Sequence, residues 1–254
     1  MQNGRNSQPF LTQIWNLLLI ELTNWRWSWR SMVVLGTIAP LLSMLGLSVF
    51  ARDAGLEALT YVLTGNIVLA LMFGIMNNVQ SHIIFMRFMG SLDYFGTLPV
   101  RKSALILAII LAFFLLALPS VLVTAVVGSW LLGITLQPSW WLLLVVPICT
   151  LPLSGVGALI GVLARTQAES GTISTLLTLL MLGLGPVVIP PDRLPAILQT
   201  VGRLSPATYA ASALRQTLLG PITPQLWLDL GVLLLLGGFV FWIVDRKMDW
   251  RQRQ

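Results

Sequence analysis

Few side chains in this sequence could carry out catalysis, and those few lie in apolar surroundings. The single histidine, His82, and Ser154 of a Leu-Ser-Gly-Val-Gly run are the one pair that would suit nucleophilic hydrolysis, in which a histidine takes the serine proton. They fall on different apolar segments. Small residues that let helices approach closely are a simpler explanation of Ser154, Gly155, Gly157 and Gly161. An intramembrane hydrolase is therefore only an alternative.

Asp229 is the one acidic residue inside an apolar segment long enough to cross a bilayer. A carboxylate at membrane depth costs at least ~2.5 kcal/mol and tends to mark an ion-coupling site. Asp229 lies about one turn from the end of its segment, where that cost is small and water can solvate it. An ion-coupled secondary carrier is therefore a second alternative.

The sequence contains no Gly-x-x-x-x-Gly-Lys-Ser/Thr motif, which is the loop that cradles nucleotide phosphates. The single cysteine, Cys149, allows neither an intrachain disulfide nor a cysteine metal cluster. We therefore expect the chain to be no enzyme and to bind no cofactor or metal, so that any ATP is handled by a partner.

Composition indicates a membrane protein. The chain has 254 residues and 27.9 kDa, of which 56% are hydrophobic and only 9% charged, and its mean hydropathy is +0.86. A soluble domain has roughly 25% charged residues. The net charge of +6 does not predict a nucleic-acid partner, because the basic residues form short clusters between apolar runs.

Six apolar runs, uncharged except for Asp229 near the start of the last one, have about the length of a bilayer crossing, which is roughly 20 helical residues. The region between Ser103 and Ala164 holds no charge, and Gly133, Gln137 and Pro138 predict a turn that divides it into two runs. We expect an all-α polytopic membrane protein, a single domain over 1–254, in the lipid bilayer. The predicted spans cover about 32–50, 58–81, 104–132, 140–163, 171–188 and 226–244.

The basic residues predict the topology. With six spans, eleven of the 15 basic residues fall on the face that also carries both termini. The positive-inside rule then places both termini in the cytoplasm. We expect the membrane to be a bacterial-type plasma (inner) membrane.

Two segments outside the spans have patterns of their own. Residues 10–30 mix apolar and polar positions, which is typical of an amphipathic helix in the plane of the membrane interface. In 190–225, Asp192 can cap one short helix, and Ser205 before Pro206 predicts the start of another. Gly220 predicts its end. Because this segment is too apolar for a loop and too broken for a crossing, we predict an outer re-entrant hairpin between spans five and six.

Two stretches resemble a known family. Met86 to Lys102 reads Met-Arg-Phe-Met-Gly-Ser-Leu-Asp-Tyr-Phe-Gly-Thr-Leu-Pro-Val-Arg-Lys, similar to the Arg-x-x-Gly-Ser/Thr-Leu-Asp/Glu loop with a following Pro-Val of ABC-2 type exporter permeases. Ser205 to Arg215 reads Ser-Pro-Ala-Thr-Tyr-Ala-Ala-Ser-Ala-Leu-Arg, which resembles the Asn/Ser-Pro-x-x-Tyr and Leu-Arg motif before the last span of that family. Together with six spans and cytoplasmic ends, the resemblance covers essentially the whole chain.

The resemblance implies that a separate ABC ATPase, in two copies, binds ATP and Mg and drives this chain. A cytoplasmic coupling helix between spans two and three would dock on that ATPase, helped by the N-terminal helix and by the loop before span five. The residues implied in this coupling are Arg87, Gly90, Ser91, Leu92, Asp93, Tyr94, Leu98, Pro99, Arg101, Lys102, Arg165 and Glu169.

The resemblance also implies two permease halves, the second expected to be identical, with a substrate path between them. Its apolar wall would suit a drug-like molecule, lipid or lipid-linked glycan that is exported by alternating access. We expect the substrate pathway to include Met44, Asn66, Phe73, Asn77, Thr175, Thr178, Met181 and Leu182. The outer gate is expected to include Pro190, Leu194, Pro195, Pro206, Tyr209 and Arg215.

Overall fold

The computed structural model describes residues 9–25, 29–52 and 55–248, and in these residues the chain forms α-helices and no strand. One π-helical turn, Met72–Met76, lies within the helix that runs from Leu56 to Phe88, and a short 3-10 turn, Pro191–Arg193, precedes the helix that begins at Ala196. The helices are α1 (Phe10–Trp25), α2 (Trp29–Arg52), α3 (Leu56–Phe88), α4 (Ser91–Thr97), α5 (Lys102–Leu132), α6 (Leu142–Leu163), α7 (Gln167–Gly183), α8 (Ala196–Gly202), α9 (Pro206–Leu218) and α10 (Gln225–Lys247).

Five helices, α2, α3, α5, α6 and α10, are long and apolar enough to cross a membrane. They correspond to five of the six predicted spans, so the all-helical membrane fold is confirmed. The helix α3 continues beyond the predicted end at 81, through residues expected to form a loop, to Phe88. The sixth span stays a prediction, because the 17 residues of α7 extend only about 25 Å against a hydrocarbon core of about 30 Å.

The start of α7 lies at Gln167, before the predicted 171, because the chain carries a capping box there. The hydroxyl oxygen of Thr166 accepts a hydrogen bond from the Glu169 amide at 3.1 Å. The Glu169 carboxylate accepts in turn from the Arg165 amide at 2.8 Å. The first bond satisfies one of the amides that a helix start leaves without partners, and the second ties the residue before the N-cap to the first turn. The helix ends at Gly183, before the predicted 188.

We call the end of the bundle that carries Met89 and Lys102 the lower end, and the end that carries Gly133 and Ser139 the upper end. The helix α1 reaches the lower end alongside α5. Its Gln13 side chain accepts a hydrogen bond from the Arg101 amide at 3.1 Å. Twelve residues further along each of the two segments, the rings of Trp25 in α1 and Phe113 in α5 are 5.5 Å apart. The two helices therefore run parallel, side by side.

This packing differs from the prediction for 10–30, which is a helix that lies in the plane of the membrane interface. The 31 residues of α5 extend about 46 Å, roughly 16 Å more than a hydrocarbon core. That excess matches the length over which α1 accompanies α5, so α1 follows the bundle and buries one face on it. Residues 26–28 lie outside the described residues, and Trp29 and Arg30 belong to α2.

Glycines bring α6 into backbone contact with its neighbours. A Cβ atom on Gly157 would overlap the carbonyl oxygen of Met76 in the π-helical turn of α3. A Cβ on Gly161 would lie 2.8 Å from the carbonyl oxygen of Gln80. The close helix approach expected of these small residues is present. The Asn78 side chain donates to two carbonyls that the π-helical turn leaves available, those of Phe73 and Gly74, at 3.2 and 2.9 Å.

The segment before α10 forms two helices, as expected, but the first begins later. Asp192 lies in the 3-10 turn Pro191–Arg193, and α8 begins at Ala196 after Pro195. Pro206 does begin α9, with Ser205 at the N-cap position, although the Ser205 hydroxyl makes no capping bond.

The helix α9 packs against α3, α6 and α10, and most of its residues are buried. Its last carbonyls accept hydrogen bonds from the turn between α5 and α6: Gln137 donates to Leu218 at 2.8 Å, and Ser139 donates to Thr217 at 2.9 Å. α9 is thus a core helix at the upper end. Its assignment to a re-entrant hairpin stays a prediction.

We predict that Gly157→Ala lowers the melting temperature of the detergent-solubilised chain, because the new methyl group meets backbone that cannot rotate away. Overpacking of this kind costs about 1–3 kcal/mol. The control is Gly46→Ala in α2, where a Cβ would meet no atom within 4 Å. It should leave the melting temperature unchanged or raise it. An equal effect of both variants would contradict the backbone contact.

Candidate coupling surface and transport path

An exposed patch of large apolar side chains lies at the lower end, on the last turn of α3 and on α4. Tyr94 is 65% exposed, while Leu92 on the opposite side of α4 is only 5% exposed and anchors the helix. We call this surface the lower patch, and it consists of Phe85, Phe88, Met89, Tyr94 and Leu98.

The turn between α3 and α4 depends on Gly90. Its φ of 70° lies in the left-handed region, which side chains with a Cβ rarely adopt. Inside the chain, a Cβ at Gly90 would meet no atom within 4 Å. The glycine is therefore required by backbone conformation and not by any close approach within this chain.

Arg87 fastens the lower patch to the bundle. Its Nη1 atom donates to three carbonyls at the end of α6: Gly161 at 3.0 Å, Val162 at 2.8 Å and Ala164 at 2.9 Å. A helix C-terminus leaves carbonyls without partners and carries partial negative charge, which a guanidinium satisfies well. The resemblance implies a contact with a partner for Arg87, and these three bonds give it a role inside the chain.

Basic side chains also connect the start of α5 to other helices. The Lys102 ammonium donates to the Met248 carbonyl after α10 at 2.6 Å. The Arg101 guanidinium lies 5.9 Å from the centre of the Phe10 ring. Of the implied coupling residues, Asp93, Tyr94, Leu98, Pro99, Arg101, Arg165 and Glu169 are exposed, Arg87, Gly90, Ser91 and Lys102 are half-buried, and Leu92 is buried.

One pair at the lower end was not anticipated from the sequence. Glu21 of α1 is only 3% exposed, and its Oε2 lies 3.0 Å from Nε2 of His82 in α3. The His82 ring also packs edge-on against Trp25 and Phe113. The available signal was the spacing of Gln13, Leu17 and Glu21, which places the carboxylate on the buried face of α1.

A cleft of about 350 Å³ adjoins this ring cluster. It opens between α1, α3 and α7, and is lined by Asn24, Trp25, Asn78, Ser81, His82, Phe85 and Gln167.

Polar side chains join α3 to α7 along a seam. Gln80 donates to the Ser170 hydroxyl, and the Ser174 hydroxyl donates to Asn77. Thr178 continues the row and donates to the Ser174 carbonyl at 2.8 Å. The predicted pathway includes Asn77 and Thr178 but not Gln80, Ser170 or Ser174, although the spacing of four residues in α7 places its three hydroxyls on one face.

The remaining predicted pathway residues are dispersed. Met44 is fully buried between α2 and α5, beside Gly128, and Asn66 is 1% exposed and donates to the Val62 carbonyl at 2.8 Å. Thr175 is exposed on α7, to one side of the seam. Phe73, Met181 and Leu182 are half-buried.

At the upper end, Arg215 joins α9 to α3. Its guanidinium lies 3.4 Å from the centre of the Tyr61 ring, and Nη2 donates to the Thr64 hydroxyl at 3.2 Å. The Tyr209 hydroxyl donates to the Arg203 carbonyl at 2.7 Å. Of the other implied gate residues, Pro190, Leu194 and Pro206 are buried, and Pro195 is exposed.

The residues on which the two alternative functions depend are occupied by structural contacts. The Ser154 hydroxyl donates to the Leu151 carbonyl of its own helix at 3.0 Å, while His82 contacts Glu21. Asp229 is only 1% exposed, so the prediction that water solvates it is wrong. Its carboxylate accepts from the side-chain amides of Gln216 at 3.2 Å and Gln225 at 3.0 Å.

Comparison with known proteins agrees with this arrangement. The family model of the ABC-2 type transporter matches residues 12–219, which include the lower patch and α9. A search of curated proteins found no significant match. The helix α10 lies beyond the matched residues but packs on α6 and α9. The chain therefore belongs to the ABC-2 type transporter family and is a multi-pass membrane permease component of an ABC transporter.

Proposed function

We propose that this chain is the membrane half of an ATP-driven exporter and moves a lipophilic or amphipathic molecule across the plasma membrane by alternating access. The observation that carries the proposal is the lower patch, an apolar surface fastened to the helix ends of a permease of this family. ATP and Mg bind to two copies of a separate ABC ATPase. Both termini lie in the cytoplasm, on the side of that ATPase.

The composition of the lower patch supports a protein partner. Contiguous apolar surface is uncommon on proteins unless it binds something, and aromatic residues dominate the energetics of interfaces. The exposed charges around the patch, Asp93, Arg101 and Arg165, form a polar rim.

The anchoring contacts support a role in transmission. The helix α4 is joined along the chain to α3 and α5, Arg87 of α3 binds the end of α6, and Lys102 of α5 binds the carbonyl after α10. A displacement of α4 would therefore move α6 and α10 as well as α3 and α5. We infer that closure of the ATPases shifts the lower patch and that this shift opens the path toward the outside.

A second copy of the chain supplies the other half of the pathway. The exposed face of α7 carries Thr172, Thr175, Leu176 and Leu179 beside the half-buried Gly171, and no part of the chain that the structure describes covers it. Paired two-fold, these faces would form a wall for lipophilic cargo. In this arrangement α7 is the sixth span, completed at the upper end by the hairpin of α8 and α9, which forms the outer gate.

We predict that Phe88→Asp with Tyr94→Asp abolishes association with the ATPase, because two carboxylates would be desolvated in an apolar interface. The measurement is co-purification of the ATPase that accompanies the unaltered chain, together with ATP turnover of the complex. The control is Ile197→Asp, a change at a 76% exposed apolar residue of α8. Retained association of the double variant would contradict docking at this patch.

Substitutions at Gly90 separate backbone conformation from side-chain size. Gly90→Asn should retain most transport, since Asn tolerates the left-handed region, whereas Gly90→Val should lose about tenfold or more. Transport into inverted vesicles with the ATPase present is the measurement. Equal transport by the two variants would show that the positive φ is not required.

Cross-linking tests the pairing of halves. Cys149 is buried and is the single native cysteine, so Cys149→Ser gives a background free of thiols. Thr175→Cys in this background should form a disulfide-linked dimer in membranes under mild oxidation. Leu122→Cys, on an exposed apolar position of α5, is the control and should stay monomeric. The reverse pattern would exclude an interface at α7.

A further inference from the structure

A second cleft lies at the upper end, between α3, α9 and α10. It encloses about 370 Å³ and is separate from the lower patch and from the exposed face of α7. Aromatic, hydroxyl and charged side chains converge on it. Its lining consists of Tyr61, Pro186, Pro191, Arg203, Thr208, Tyr209, Ser212, Arg215, Gln225 and Asp229.

Two donors that line this cleft lack acceptors. Nε of Arg215 is buried and has no hydrogen-bond partner among the described residues, although Nη2 donates to Thr64 and Tyr61 covers the guanidinium. The Thr208 hydroxyl is also buried and has no partner in the part of the chain that the structure describes. Buried donors without acceptors are costly, so two in one cleft indicate a missing acceptor.

The electrostatics disfavour an acceptor with more than one negative charge. Arg203 and Arg215 contribute two cations, and Thr208 lies in the first turn of α9, the positive end of a 13-residue helix. The carboxylate of Asp229 is close to Arg215 but already accepts from two amides, and Glu57 adds a second carboxylate nearby. A doubly charged anion would be repelled by these carboxylates.

We propose that the upper cleft binds a phosphodiester group. Its two non-bridging oxygens share a single charge and would accept from Arg215 Nε and from the Thr208 hydroxyl, as charge-assisted bonds, after a small shift of the side chains that cover these two atoms. The volume accommodates a headgroup and leaves acyl chains outside, in contact with the apolar helices. The site does not depend on the direction of transport or on the identity of the ATPase.

Binding to the purified full-length chain in detergent tests the proposal by isothermal titration. The probes are dihexanoyl phosphatidylglycerol, diethyl phosphate and the neutral dihexanoylglycerol. We expect phosphatidylglycerol to bind at least about tenfold more tightly than dihexanoylglycerol, since one charge-assisted bond accounts for such a factor. Binding of diethyl phosphate as well would show that a free phosphodiester suffices, and its failure to bind would assign the site to lipid. Equal affinity for phosphatidylglycerol and dihexanoylglycerol would overturn the proposal.

Variants locate the site. Arg215→Gln should weaken phosphatidylglycerol binding at least about tenfold and Thr208→Val about threefold. Arg193→Gln, at an exposed arginine outside the lining, is the matched control and should bind as the unaltered chain does. If Arg215→Gln does not fold, Arg215→Lys, which keeps the charge without the Nε donor, replaces it. Unchanged affinity of both the Thr208→Val and the Arg215 variant would place the phosphodiester elsewhere and overturn the proposal.

Discussion

Three carbonyl oxygens at the end of α6 accept hydrogen bonds from one guanidinium, that of Arg87, and the lower end is organised around this contact. The last carbonyls of a helix need donors, and at the lower end few groups other than water or basic side chains can supply them. By satisfying three at once, Arg87 holds the end of α3 against α6. The turn at Gly90 and the helix α4 therefore start from a fixed point, and they carry the apolar patch at the lower end.

Two kinds of helix contact divide the bundle above this point. Where α6 crosses α3, Gly157 and Gly161 bring backbone against backbone, and close-packed contacts of this kind move as one body. Where α7 meets α3, pairs such as Gln80 with Ser170 hold the helices by side-chain hydrogen bonds, which can exchange partners when helices slide. We infer that α3 and α6 form the rigid part of the chain and that α7 is the element that can move, which would serve the proposed alternating access.

The spans could be predicted because hydrocarbon thickness dictates their length, whereas the contacts between helices could not. The start of α7 was placed too late because Glu169 counted as a loop charge, while Thr166 and Glu169 form a capping box. The helical spacing of Gln13, Leu17 and Glu21 indicates that Glu21 lies on the buried face of α1, but its contact with His82 joins segments far apart in sequence, and no local pattern predicts that contact. The positive-inside rule concerns only the position of Arg87 in the sequence, so it is satisfied whether the side chain is solvated or caps a helix. Only the fold shows that Arg87 caps α6.

The most direct test of the account is a cryo-electron microscopy structure of the chain with its ATPase in lipid nanodiscs. The account predicts that the ATPase contacts Phe88, Tyr94 and Leu98 while Arg87 still caps α6 inside the permease. An ATPase bound at another surface, or a lower end that lies on the opposite side of the membrane from the ATPase, would contradict it.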